Sequence, residues 1–337
     1  TAYYYGGPQV QQKVEDHTRG FYHALIEARI PFEMVHDGLL DAAHIDQFKT
    51  LILPNIAALS DTQCHQLRAF VERGGSLVAT FETSHYDEWG QPRPSLGLAD
   101  LFGVDVTGPV EGPMRNSYLH IDPNPDGSFH PLVAGLEDAG RIINGVFCLP
   151  VQPRTPISAS PLTLIPSYPD LPMEEVYPRV ERTDIPEVYL REVGQGRVLY
   201  FPWDLDRTFW EVLSVDHGRL LGNAVRWATN EEPVVTVTGP GVLDVTVWQQ
   251  AQSQTVHLVN LTNPMMMKGP IRELLPVGEQ VVRLRLPEGK QARRVHLLRA
   301  DSTPTVVEEQ GYITVTVPSI LDIEVIAIDW PSRVTIN

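Results

Sequence analysis

Residues 49–81 constrain the fold most, because they place two short apolar runs on either side of one capped amphipathic segment. The run 51–53, Leu-Ile-Leu, has no polar side to turn to solvent. Strands of this kind belong to parallel sheets that are covered on both faces. Between the runs, Ser60 or Asp61 can cap a helix, and a Gly-Gly pair can end it before the second strand. This order predicts a βαβ unit.

Further helix and strand patterns flank this unit. Residues 14–29 carry apolar side chains at three- and four-residue spacing, which predicts an amphipathic helix, and residues 32–36 resemble a short strand. Residues 187–201 form a hairpin pattern around a Gly-Gln-Gly turn, and 208–228 resembles one long helix. Together these patterns predict an α/β layer domain over residues 1–230.

The segment from about 150 to 180 is rich in proline, with eight prolines from Pro150 to Pro178. Proline fixes φ and lacks a backbone donor, so it disfavours long helices and central strands. We therefore interpret the segment as an insertion or long loop of the α/β domain. Weaker strand patterns occur around it, at 116–121, 141–148 and 161–165.

After Pro233 the pattern changes to alternating apolar and polar residues without any helix-length segment. Six such runs are separated by turn residues: 242–249, 255–260, 280–286, 294–298, 312–317 and 323–328. Short strands at regular spacing predict a β-sandwich, which we place at residues 233–337.

Charge and hydropathy limit the partners. The chain has 42 acidic and 26 basic residues, and its net charge of −16 repels phosphate backbones. There is no apolar run of about 18 residues and no charged start followed by an apolar stretch. We expect neither a nucleic-acid nor a membrane partner, and without a targeting signal the cytoplasm is the default location.

The sequence lacks the motifs of common catalytic and cofactor sites. Cys64 and Cys148 are the two cysteines, too few for a disulfide framework or a cysteine-based zinc site. No Gly-x-Ser-x-Gly elbow occurs, and the Gly-Gly pairs lack the spacing that binds phosphates. We predict no cofactor and no metal.

One polar cluster directly follows the second strand of the βαβ unit. Glu82, His85, Asp87 and Glu88 fall within seven residues at the carboxyl end of that strand, where open α/β sheets bind ligands. Carboxylates and imidazole could supply an acid and a base, or hold a metal weakly. The same side chains could instead cap the loop and form salt links.

A second polar cluster follows the hairpin. Trp203 could stack on a sugar ring while Asp204 accepts its hydroxyl groups, and Arg207 lies beside them in the sequence. Asp206 could cap the last helix. Purely structural roles for these residues are equally compatible with the pattern.

Several segments resemble the trimerisation (middle) domain of microbial beta-galactosidases: residues 20–25, 30–35, 51–55, 74–78 and 87–88. The resemblance covers about residues 10–230. It implies a flavodoxin-like, class I glutamine amidotransferase-like fold that follows a glycosidase barrel, and the downstream β-sandwich suits the small last domain of such enzymes.

The catalytic residues of the amidotransferase fold are missing from this chain. That fold places a nucleophilic cysteine on the elbow after the strand that here ends at Phe81, where this chain has Glu82 and Thr83. Its His-x-Glu dyad is replaced by Pro-Trp-Asp at 202–204. The resemblance therefore implies no catalytic residue in this chain, because a thiol needs a base within hydrogen-bonding reach.

These observations favour a non-catalytic oligomerisation and accessory module of a beta-galactosidase-like glycoside hydrolase. Its partners would be a glycosidase barrel, further copies of the chain in a homo-oligomer such as a trimer, and carbohydrate, with the Glu82 cluster helping to close the substrate pocket. The start without methionine suggests a piece of a longer polypeptide. Two alternatives stay open: a stand-alone hydrolase using Glu82 with His85 or Asp204, and a carbohydrate-binding scaffold built on Trp203 and Trp210.

Overall fold

The computed structural model describes residues 1–157, 159–168, 172, 175–263 and 269–331. The chain divides into two compact units: Thr1–Ala24 with Met34–Asn230, and Leu25–Glu33 with Glu231–Asn337. Within the described ranges, no helix is both long and apolar enough to cross a membrane.

Helices and strands are interspersed up to residue 229, and strands follow from residue 235. The α-helices are α1 (Asp16–Glu27), α2 (Ala42–Ile45), α3 (Asp61–Glu72), α4 (Ala99–Phe102), α5 (Leu205–Val212) and α6 (Val215–Thr229). Short π-helical turns occupy Ala2–Gly6 and Gln11–Glu15, and 3-10 turns occupy Gly7–Gln9, Pro131–Val133 and Glu137–Ala139. The strands up to residue 201 are β1 (Thr50–Leu53), β2 (Ser76–Thr80), β3 (Val104–Val106), β4 (Tyr118–Ile121), β5 (Arg141–Ile143), β6 (Val151–Pro153), β7 (Leu162–Ile165), β8 (Tyr189–Val193) and β9 (Gly196–Phe201). The later strands are β10 (Val235–Thr238), β11 (Leu243–Gln249), β12 (Ser253–Asn260), β13 (Gln280–Arg285), β14 (Arg294–Leu297), β15 (Thr305–Glu309), β16 (Tyr312–Val317) and β17 (Ile323–Asp329).

The predicted βαβ unit is confirmed. Strands β1 and β2 pair in parallel, and α3 connects them. Ser60 Oγ accepts a hydrogen bond from the backbone N–H of Gln63, whose side chain accepts in return from the N–H of Ser60. This reciprocal capping box satisfies two donors that the helix leaves free and fixes its start.

The main sheet of the first unit has the strand order β1-β2-β9-β8. Strand β9 pairs in parallel with β2 and antiparallel with β8, so β8 forms the edge as the hairpin pattern predicted. The core cluster around this sheet draws buried apolar side chains from β1, β2, β9, α3 and α4. Because β1, β2 and β9 run in the same direction, their carboxyl ends meet at one edge of the sheet.

Two local predictions for residues before 230 were wrong. The long helix predicted at 208–228 is two helices, α5 and α6, because Leu213 adopts a left-handed conformation with φ 51° and ends the first. A single left-handed residue breaks a helix without disturbing its hydrophobic spacing, so the pattern does not reveal it. Residues 32–36 form no strand. The strand patterns near 116–121, 141–148 and 161–165 correspond to β4, β5 and β7, which form a small sheet of order β5-β4-β7.

The second unit contains two four-stranded antiparallel sheets, ordered β10-β13-β16-β15 and β11-β12-β17-β14. Side chains from both sheets share one apolar core. The six predicted runs all correspond to strands. Strands β10 and β15 were not predicted, and β15 carries no burial alternation because all five of its residues are exposed.

Residues 25–33 cluster with the second unit, although the sequence placed them within an uninterrupted first domain. Arg29 explains this. Its guanidinium donates hydrogen bonds to the carbonyl oxygens of Val237, Gly239 and Gly241 and to the side-chain oxygen of Gln280, at 2.8–3.1 Å. A long-range contact of one side chain with backbone carbonyls has no signature in local sequence pattern.

Candidate functional site at the sheet edge

Strand β2 ends in a sharp turn that places Glu82 at the carboxyl edge of the main sheet. Phe81 has a φ of 52°, in the left-handed region that residues other than glycine seldom adopt. The turn is held by the backbone N–H of Phe81, which donates to the carbonyl of Phe201, and by the Tyr200 hydroxyl, which donates to the carbonyl of Phe81 at 2.6 Å. Such a conformation costs about 1–3 kcal/mol and persists because surrounding bonds enforce it.

The Glu82 carboxylate is buried and hydrogen-bonded on both oxygens. Oε1 accepts from the Tyr86 hydroxyl at 2.9 Å, and Oε2 accepts a short bond from the Tyr5 hydroxyl. His85 Nδ1 lies 3.6 Å from Oε1, beyond hydrogen-bonding distance. Burial raises the pKa of Glu82, but the nearby imidazole and the two phenol donors lower it, and the net pKa is below its ordinary value. Glu82 is therefore a charged, fully partnered group at neutral pH.

The two phenols that hold Glu82 remain donors. Burial and the adjacent charge of Glu82 raise the pKa of both Tyr5 and Tyr86 above their ordinary value. Each hydroxyl keeps its proton because an ionised phenol beside a buried carboxylate would be strongly unfavourable. The cluster thus contains one charge and two neutral donors.

A second buried network lies at the same edge and was not predicted from the sequence. His17 Nδ1 is 2.7 Å from Asp206 Oδ1, and Thr80 Oγ1 donates to Asp206 Oδ2 at 2.8 Å. The backbone N–H of Asn55 donates to Thr80 Oγ1. The side-chain oxygen of Asn55 accepts from the backbone N–H of Glu82 at 3.1 Å. The two networks are therefore continuous.

The His17 tautomer follows from its neighbours. With the proton on Nδ1, the ring donates to Asp206, and Nε2 is free to accept from Asn55 Nδ2, which lies 3.3 Å away. This arrangement resembles the orienting pair of a catalytic dyad, but both residues are buried. They hold α1 and α5 at the sheet edge rather than present a base to solvent.

The first 17 residues cover this edge. Thr1 Oγ1 donates to the carbonyl of Ala58, and the carbonyl of Lys13 accepts from the Asn55 side chain at 2.9 Å. The Tyr5 ring packs against Tyr86 with centroids 4.9 Å apart. The chain itself therefore fills the place where open α/β sheets bind ligands.

The remaining residues of the first predicted cluster lie on the loop beyond the elbow. His85 is half-buried, and its Nδ1 lies 3.6 Å from Glu82 Oε1. Asp87 is a loop cap: its Oδ1 accepts from the backbone N–H groups of Trp89 and Gln91, both at 2.9 Å. Glu88 is exposed. Of the four predicted residues, the structure thus brings Glu82 and His85 close together without a hydrogen bond between them.

The second predicted cluster is structural in this fold. Trp203 is fully buried, and its Nε1–H donates to the carbonyl of Glu187 at 2.9 Å. Asp204 is also fully buried and accepts from the backbone N–H groups at 146 and 147 and from Arg207 Nε at 2.6 Å. Burial raises the pKa of Asp204, although the Arg207 charge opposes the rise. These contacts leave neither side chain free to stack on or bond to a sugar.

The predicted cap of the last helix also needs correction. Asp204 occupies the N-cap position of α5, and Asp206 lies in the first turn of that helix. The Asp206 carboxylate instead accepts hydrogen bonds from His17 and Thr80.

One buried acid lies outside both clusters. The Cys148 thiol is 3.9 Å from Glu187 Oε2. Burial raises the pKa of Glu187 to about 8, with Glu111 adding to the rise and Cys148 opposing it, and burial also raises the pKa of the Cys148 thiol. Both groups are uncharged at pH 7, so this cysteine is not an activated nucleophile. Throughout the described ranges, no group of three or more His, Cys, Asp or Glu side chains could hold a metal ion.

Residues 3–109 match the family model of the beta-galactosidase trimerisation domain. The resemblance inferred from the sequence is thereby confirmed for this part of the chain. A search of curated protein sequences finds no match.

Solved structures similar in fold include several glycosidases. Alpha-L-fucosidase isoenzyme 2 from Paenibacillus thiaminolyticus is 18% identical, with a TM-score of 0.70, over 94% of this chain and 45% of the fucosidase. A beta-galactosidase from Bacillus circulans sp. alkalophilus is 14% identical, with a TM-score of 0.63, over 96% of this chain and 38% of that enzyme. A beta-galactosidase from Rahnella sp. R3 is 13% identical, with a TM-score of 0.57, over 92% and 36%. The chain therefore spans less than half the length of these structures, and at these identities the likeness concerns the fold.

Proposed function

Because residues 3–109 carry a trimerisation domain of the beta-galactosidase type, we propose that this chain is a non-catalytic oligomerisation and accessory module of a glycoside hydrolase. One observation carries the proposal. The elbow that presents a nucleophile in amidotransferases holds Glu82 here, and its carboxylate is bonded to Tyr5 and Tyr86 beneath the chain's own first residues. A group satisfied in this way contributes to structure rather than to chemistry.

The finer fold is part of the proposal. The parallel strands β1, β2 and β9, the helices around them and the left-handed Phe81 support a flavodoxin-like, class I glutamine amidotransferase-like domain at residues 1–230. We place the β-sandwich domain at 233–337. The partners we propose are a glycosidase barrel and further copies of the chain in a closed trimer.

A stand-alone hydrolase is less compatible with the site. Thr83 Oγ1 donates to the carbonyls of Leu53 and Thr80, so the hydroxyl on the elbow is already engaged. Glu82 and His85 form the nearest acid and base pair, but Glu82 is buried under Tyr5. A substrate would have to displace the first residues of the chain to reach it.

Two measurements test the proposal. The native polypeptide should be several hundred residues longer than this 37.7 kDa chain, which its intact mass would show. Light scattering should give a trimer for that polypeptide. The isolated chain should not hydrolyse a nitrophenyl β-galactoside, and Glu82→Gln should leave the activity of the full polypeptide unchanged. A strictly monomeric full polypeptide, or hydrolysis by the isolated chain that Glu82→Gln abolishes, would refute the proposal.

A further inference from the structure

Three aromatic side chains lie together on the surface of the first unit. Tyr3, Tyr4 and Trp89 are 82%, 51% and 62% exposed. The ring centroids of Tyr4 and Trp89 are 5.6 Å apart, and those of Tyr3 and Tyr4 are 5.0 Å apart. We call this group the aromatic platform. Scattered exposed aromatics are ordinary, whereas a contiguous exposed apolar patch marks an interaction site.

Hydrogen bonds within the hairpin loop fix the backbone that carries Trp89. Asp87 bonds the backbone of Trp89 and Gln91, and the N–H of Arg93 donates to the carbonyl of His85 at 2.8 Å. The Tyr4 backbone lies directly against Gly90, where a Cβ would come within 2.9 Å of it. A ligand that bound here would therefore meet rings whose backbones are already ordered, which reduces the entropic cost of binding.

The ring geometry leaves aromatic faces open to solvent. The planes of Tyr3 and Tyr4 are at 90°, and those of Tyr4 and Trp89 at 71°. In an edge-to-face pair the edge of one ring meets the face of the other, so the opposite faces stay free. Glu88 and Gln91, both exposed, lie within two residues of Trp89 on the same loop and carry hydrogen-bonding groups.

We propose that the aromatic platform binds a neutral oligosaccharide, with a pyranose ring against Trp89 and its hydroxyl groups bonded by Glu88 and Gln91. Charge favours this ligand over the other class that stacks on aromatic rings. Nucleic acids carry phosphates, which a chain of net charge −16 with Glu88 beside the ring repels. A neutral sugar is not repelled, and a carboxylate accepts paired hydroxyl groups. This site replaces the buried Trp203 as the sugar contact.

The inference is independent of the proposed function. The oligomer mass tests the accessory-module proposal, whereas a sugar titration tests the platform, so either can fail without the other.

The whole chain would be titrated with lactose, 1,4-β-galactotriose and cellotriose by isothermal calorimetry. We expect saturable binding of at least one of them. Trp89→Ala should weaken it at least about tenfold. Glu88→Gln, which keeps the ring and the loop, should weaken it severalfold. Trp248→Ala removes an indole that is 61% exposed on β11 and should leave the dissociation constant unchanged within about twofold.

Circular dichroism would show that each variant is folded. Absence of saturable binding with all three sugars would overturn the inference, as would equal weakening by Trp89→Ala and Trp248→Ala. An oligomer mass that falls with Trp89→Ala while sugar affinity stays the same would also overturn it, because the platform would then be a protein contact.

Discussion

The hydroxyl of Tyr5 donates a hydrogen bond to Oε2 of Glu82, joining two residues that are 77 positions apart in the sequence. The bond ties the first helical turn of the chain to the elbow after β2. Because the carboxylate is charged and buried, this hydrogen bond should stabilise the fold more than a hydrogen bond between neutral surface groups would.

Tyr5→Phe removes this donor and keeps the ring. We expect the free energy of unfolding to fall by about 1.5–3 kcal/mol, the usual range for a hydrogen bond to a charged group. Urea unfolding followed by circular dichroism measures the change. Tyr4→Phe, one residue earlier and exposed, is the matched control and should have no effect. Equal stability of Tyr5→Phe and the parent chain would contradict the assigned bond.

The same bond predicts an acid dependence. The pKa of Glu82 is lower in the folded chain than its ordinary 4.5, so its stabilisation is present above pH 4.5 and is lost as the pH falls through the folded pKa. In Tyr5→Phe the carboxylate loses one of the donors that lower its pKa. The stability of this variant should therefore decline less steeply between pH 5 and pH 3 than that of the parent, measured by unfolding at a series of pH values.

Two His–Asp pairs of equal length offer a direct comparison of burial. His17–Asp206 and His44–Asp41 both have a nitrogen–oxygen distance of 2.7 Å, but the side chains are 1% and 0% exposed in the first pair and 50% and 48% in the second. His17→Ala removes one of the two side-chain donors to the buried Asp206 carboxylate and should cost about 1.5–3 kcal/mol. His44→Ala should change stability little, since solvent screens an exposed pair. Similar losses in both variants, measured by thermal unfolding, would contradict the burial argument.

Glu187 should make the fold less stable in alkali. Its pKa of about 8 in the folded chain exceeds the ordinary 4.5, so the folded state binds the proton more tightly and the free energy of unfolding falls as pH rises from 4.5 to 8. The loss should be on the order of a few kcal/mol. Glu187→Gln removes this dependence and should be more stable than the parent at pH 8.5. The control is Glu192→Gln, which changes an exposed glutamate on β8. If the free energy of unfolding of Glu187→Gln varied with pH in parallel with that of the parent, the raised pKa of Glu187 would be contradicted.

Local signals explain what could be predicted from the sequence. The helix cap, placed at Ser60 or Asp61, and the apolar runs of β1 and β2 depend on residues a few positions apart, and the structure has the cap at Ser60 and both strands in that segment. The contact of His17 with Asp206 spans 189 positions, and no local spacing encodes it. For Trp203 the sequence left a sugar contact and a structural role equally open, because residue type indicates chemistry but not burial.

The prediction of the site was also limited because the sequence does not tell which side chains are exposed together on the surface. Trp89 and Glu88 are adjacent in the sequence, but the neighbouring rings of Tyr3 and Tyr4 come from the start of the first domain, more than 80 positions earlier. The end of β2 was predictable to within one residue, since a buried apolar run is a strong local marker. The partners of Glu82 were not predictable, because they come from a segment that folds back over the sheet.

Strand β15 ends its sheet with one neighbour and five exposed residues, among them Glu308 and Glu309. An open strand edge is a template on which further chains can add, and assembly by that route has no natural end point. Each added edge would bring two more negative charges to the growing sheet, and their mutual repulsion disfavours fibre growth. In a protein proposed to form closed trimers, the acidic edge would help keep association finite.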